Sequence, residues 1–101
     1  MIRVNFYSDG ELITGFECKG HSMSAEHGRD IVCAAVSSAC LMTANTVTEI
    51  IGLDAEAAAT DGYLRLEIKA SPQSAQDILR GLKLHLTELS REYPDNIKVE
   101  V

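Results

Sequence analysis

Gly20-His21-Ser22-Met23-Ser24-Ala25-Glu26-His27-Gly28-Arg29-Asp30-Ile31-Val32-Cys33-Ala34-Ala35-Val36-Ser37-Ser38 is the stretch from which the rest of the chain is read. Residues 20–29 have no hydrophobic period. With two glycines, two histidines and two serines they read as a surface loop, and loops of that length often carry function. From Ile31 the pattern becomes helical. Asp30 is a good N-cap, because its carboxylate can accept from the free N–H groups of a first turn. That placement puts Ile31 at the first helical position and Cys33 at the third. A thiol there faces the positive end of the helix dipole, which favours thiolate over thiol. A nearby imidazole, from His21 or His27, can take the proton. Nucleophile, base and activating helix start thus lie within one short segment.

The helix continues over 31–51. Val32, Val36, Ala39, Thr43, Val47 and Ile50 recur at three and four as a buried stripe, with Cys33, Ser37, Cys40 and Ala44 beside it. It is apolar nearly all round at first, so it belongs at the centre of the core. Gly52 is its expected C-cap. Ahead of the loop, Ile2, Val4 and Phe6 alternate with polar residues over 2–8, and Asp9-Gly10 marks a hairpin. The return strand, 12–19, places Leu12, Phe16 and Cys18 inward. Gly15 within it suggests a bulge or a close approach. Beyond the helix, 55–59 reads as a short Ala-rich strand, Asp61-Gly62 as a second hairpin, and 63–69 as a strand with Leu64, Leu66 and Ile68 inward. A second helix starts at Ser71-Pro72 or at a capping box from Ser74 to Asp77. Its stripe runs Ala75, Ile78, Leu79, Leu82, Leu86, Leu89, Tyr93. Ile97, Val99 and Val101 close the chain as a strand.

The order is ββαββαβ in a single domain, residues 1–101. Alternating strands imply one wet sheet face. The expected fold is a two-layer α+β domain: a mixed, mostly antiparallel five-stranded sheet with two helices on one face.

Fifteen acidic against nine basic residues give a net charge of −6. That argues against nucleic acid as the main partner, which needs clustered Lys and Arg. Met1 to Asn5 enters the alternating pattern directly, so no secretory leader is expected. The apolar run Ile31–Met42 is shorter than the roughly 18 residues that span a bilayer. The expectation is a cytoplasmic chain with no membrane partner. Three cysteines, an odd number, do not suggest a disulfide framework.

Gly20-His21 followed by Gly28-Arg29-Asp30-Ile31-Val32-Cys33-Ala34-Ala35-Val36-Ser37 resembles the signature of the ribosomal-processing cysteine proteases, the Prp family. Length and element order resemble that family along the whole chain. One departure is Ser22, where members often have Ala. The resemblance implies an enzyme that removes the N-terminal extension of a large-subunit ribosomal protein precursor. It makes Cys33 the nucleophile and selects His21 over His27 as base, which spacing alone does not decide. Asp30 and Ser37 then support the pair, and Gly20, Ser22, Met23 and Gly28 contact substrate. Residues 22–29 are expected to close over the peptide as a flap. Similar proteins are dimeric, so a homodimer is expected, without cofactor or metal. Two other readings remain. One is a Cys/His metal site built from Cys18, His21, His27 and Cys33, since Cys18-Lys19-Gly20-His21 has ligand-like spacing. The other is a non-catalytic ribosome-associated module.

Overall fold

A computed structural model describes residues 1–21 and 29–100, except for the side chains of His21, Arg29 and Asp30. The elements are β1 (Ile2–Asp9), β2 (Leu12–His21), α1 (Arg29–Asn45) running on into a π turn (Thr46–Ile51), β3 (Ala55–Thr60), β4 (Gly62–Ile68), a 3₁₀ turn (Gln73–Ala75), α2 (Gln76–Glu92) and β5 (Ile97–Glu100). The sheet order is β3-β4-β2-β1-β5. Among the described residues only β1 and β5 pair in parallel. This is the two-layer α+β arrangement that the alternation implied.

One sheet face buries Val4, Phe6, Phe16, Cys18, Leu64 and Leu66. Onto it α1 packs Val32, Val36, Cys40 and Thr43, and α2 packs Leu79, Leu82 and Leu86. The other face is polar. There Arg65 lies over the Tyr7 ring at 5.8 Å and binds Glu67 at 2.7 Å. The helical segment Ile31–Ile51, 21 residues, is long and apolar enough to cross a membrane by length and composition, which the shorter run Ile31–Met42 did not suggest. Its inner stripe is packed against the sheet, so it is the core helix.

Several local expectations are corrected. Tyr7 opposes Gly15 while Ser8 opposes Ile13, so Thr14 is the extra residue of a bulge. The bulge switches faces: Ile13 is buried and Leu12 only half-buried. Gly15 is needed there, since a Cβ would fall on the Leu66 carbonyl oxygen of β4. Ile50 is exposed, not part of the buried stripe. The Gly52 N–H donates to Val47 over the wider i→i+5 spacing, so the position that returns to the core is Ile51. Gly52 caps as expected, with φ of 78°. At α2 no side-chain cap forms from Ser74. The Gln76 carboxamide anchors this end instead. It accepts from Ile13 N–H at 2.9 Å and donates to the Ile13 carbonyl at 2.8 Å. A carboxamide can do both, so it satisfies the backbone that the bulge leaves open.

Candidate active site

The helix start is two residues earlier than the capping argument placed it. Arg29, a better helix former than Asp, is the first helical residue, so Asp30 lies inside the first turn rather than at the cap. A first-turn carboxylate is still favoured by the helix dipole. Cys33 becomes the fifth helical residue. In an α-helix beginning at Arg29, its N–H is donated to the Arg29 carbonyl. That N–H is therefore not an oxyanion donor; the free donors of this end belong to Arg29, Asp30 and Ile31.

His21 is the last residue of β2 rather than part of the loop, and it opposes Gly62 of β4. A register shift between Lys19 and His21 centres on Gly20. Gly20 has φ of 85°, and a Cβ on it would lie 2.6 Å from the Met1 carbonyl oxygen. Only glycine fits both conditions. Gly20 thus shapes the last step of the strand that carries the histidine.

The thiols give a fixed point for comparing the two elements. The Cys40 and Cys18 thiols share a hydrogen bond, pinning α1 to β2. That hydrogen bond and burial push the Cys40 thiol far above its ordinary range, so it stays protonated. From this contact Cys33 lies seven residues back along α1, ~10 Å of helical rise. His21 lies three residues on along β2, also ~10 Å. α1 runs antiparallel to β2, since residues earlier in α1 than Cys40 stand beside the cross-strand partners of the residues after Cys18, so both displacements run toward the same end of the molecule. The cleft beside α1 shows this: Ser37, one turn from Cys33, shares it with Gly62, the cross-strand partner of His21.

That cleft has a volume of about 200 Å³. Ser37 and Leu41 form its helical wall, and residues 59–64 of the β3–β4 hairpin form the other. The Ser37 hydroxyl is buried and has no hydrogen-bond partner among the described residues. Cys33 itself is 7 % exposed and faces the core side of α1. The hairpin wall, including Thr60, Asp61 and Tyr63, is absent from the sequence-based site. Asp61-Gly62 announced a turn, but nothing in the sequence said that the turn would stand beside α1.

Ser22, Met23, His27 and Gly28, and the flap expected over 22–29, lie outside the described residues apart from Arg29, which begins α1. Of the proposed metal ligands, Cys18 is on the inward face of β2 against Cys40, not turned toward the helix start. Among the described residues no three His, Cys, Asp or Glu side chains cluster as a metal site.

Known proteins resemble the chain throughout its length. The family model described as cysteine protease Prp matches residues 1–98. The ribosomal processing cysteine protease Prp of Bacillus subtilis is 33% identical over 94 residues, covering 86% of this chain and 84% of its own. The ribosomal processing protease Prp of S. aureus, crystallised with a substrate peptide, superposes with a TM-score of 0.87 at 24% identity, over 100% of each chain. The same protease with a covalently linked product peptide gives 0.83 at 26% identity, over 99% of this chain and 98% of that one. With residues 1–98 matched by one family model and a relative 33% identical over 86% of its length, the chain belongs to the cysteine protease Prp family.

Proposed function

We propose that the chain is a cysteine endopeptidase that removes the N-terminal extension of a large-subunit ribosomal protein precursor, with Cys33 as nucleophile and His21 as base. What supports this most is the family match over residues 1–98, together with one cleft lined by Ser37, a turn from Cys33, and by Gly62, the cross-strand partner of His21. His21 takes the Cys33 proton, and the thiolate attacks the scissile carbonyl. The C–N bond breaks as His21 returns the proton to the leaving amine, and a thioester to Cys33 remains. Water, deprotonated by His21, hydrolyses that thioester and restores the thiol. Charge on the carbonyl oxygen is met by free N–H groups of the first turn of α1. Asp30 and Ser37 hold the surroundings of the pair.

The enzyme works in the cytoplasm, where such precursors are made, and as a homodimer. Leu84, 63% exposed on α2, is one apolar group a second copy would cover. The test is incubation with extended ribosomal protein precursors and mass mapping of the product. One defined cut within the N-terminal extension, absent in Cys33→Ala, is expected. No cut in any precursor, or a cut that persists in Cys33→Ala, overturns the reading.

A further inference from the structure

The sheet has two edges, β3 and β5. β5 is short, four residues, and carries Lys98 and Glu100, features that discourage further pairing. β3 is six residues long, without proline or lysine, and its register against β4 is unbroken. Ala57, Ala58 and Ala59 are all exposed. The one charge, Glu56, is drawn sideways toward Arg65 and Lys69, at 3.7 and 3.8 Å.

Which backbone groups face outward follows from the antiparallel pattern. Lys69 N–H donates to the Asp54 carbonyl at 2.8 Å. Hydrogen-bonded pairs then alternate along the ladder: 56 with 67, 58 with 65, 60 with 63. Ala55, Ala57 and Ala59 therefore turn their N–H and C=O groups away from β4, out of the sheet. No strand pairs on that side among the described residues. The same three alanines oppose Ile68, Leu66 and Leu64, so they share the helix-side face. Ala57 and Ala59 are exposed on that face. Ala59 also lines the cleft with Ser37 and Leu41, so edge and cleft are continuous.

We propose that the outer edge of β3 receives the precursor's N-terminal extension as a sixth strand and delivers it into the cleft toward Cys33. This rests on the peptidase reading above. An added strand lies ~4.8 Å from its neighbour, and alanine side chains leave that approach open. Main-chain bonds to Ala55, Ala57 and Ala59 hold the extension, while alternate side chains lie on the face that carries Leu41.

The experiment uses precursor peptides long enough to reach past Ala55 and short ones that occupy the cleft alone. Wild-type enzyme is expected to favour the long peptide through KM, by roughly tenfold for two or three main-chain bonds. Ala57→Pro removes an outward N–H without touching the β4 ladder, and is expected to abolish the advantage of the long peptide. A retained advantage overturns the proposal. Should Ala57→Pro fail to fold, wild-type enzyme is given long peptides N-methylated at odd or at even positions. An added strand uses every second amide, so one set alone should lose affinity; equal loss or no loss in both overturns it. Loss of the advantage together with a dimer-to-monomer change in light scattering also overturns it, assigning the edge to a second copy. If no peptide is cut, the peptidase reading fails instead. The edge is then judged in Cys33→Ala, where the long peptide should slow hydrogen exchange at Ala55, Ala57 and Ala59; unchanged exchange there overturns the strand.

Discussion

Cys33, Cys18 and Cys40 are all buried, and what separates them is their neighbours. Cys18 and Cys40 satisfy each other between β2 and α1. Cys33 stands in the second turn of α1, toward the end where β2 delivers His21. Cys33→Ala should abolish cleavage with an unchanged circular dichroism spectrum. Cys40→Ala should keep cleaving but lose about 1–2 kcal/mol in urea titration, through the small cavity left in the core. The reverse pattern would exchange their roles. His21→Ala should lower kcat by ~10²–10⁴, as general-base catalysis does, and His27→Ala should change it little. If steady-state rates rank the two the other way, the base is His27.

At the scale of elements, two strand ends are set by single residues. Gly20 combines a positive φ with the Met1 carbonyl at its back. Gly20→Ala should destabilise by more than the ~1–2 kcal/mol that a left-handed conformation costs a residue with a Cβ, since the Met1 carbonyl also stands in the way, and should lower kcat/KM as well, because His21 follows directly. Thermal melts and kinetics together check this; an active, equally stable variant would show that the strand end tolerates a side chain. Gln76 holds both backbone groups of Ile13, next to the bulge. Gln76→Ala should cost about 2–3 kcal/mol by leaving both without a partner, with kcat nearly unchanged since it lies in neither wall of the cleft. A denaturant midpoint equal to wild type would mean that water replaces the carboxamide.

The whole molecule is one sheet with a packed face and a polar face, and its association state belongs to this scale. Light scattering at micromolar concentration should give twice the 11.0 kDa chain mass. A monomer mass would remove the second copy from the proposed function. Leu84→Glu, which puts charge on an exposed apolar site of α2, should shift a dimer toward monomer if that helix forms the interface.

The sequence by itself determined the element order, the two-layer class and the identity of the inward residues on most strands. Alternation and helical spacing are local properties, and burial must follow them. It also pointed to Cys33, a thiol near a helix start, and to a histidine from the preceding loop, with only the family resemblance choosing His21 over His27. Three things were decided only in three dimensions. The bulge at Thr14 moved Ile13 into the core, because Gly15 must pass the Leu66 carbonyl on another strand. The π turn brought in Ile51 instead of Ile50, since the return to β3 fixes how the helix ends. The hairpin wall of the cleft and the outward backbone of Ala55, Ala57 and Ala59 came from the pairing of β3 with β4 at the sheet edge. Pairing between strands far apart in sequence leaves no local pattern, so the residues of that edge look like a plain run of alanines until the sheet is assembled.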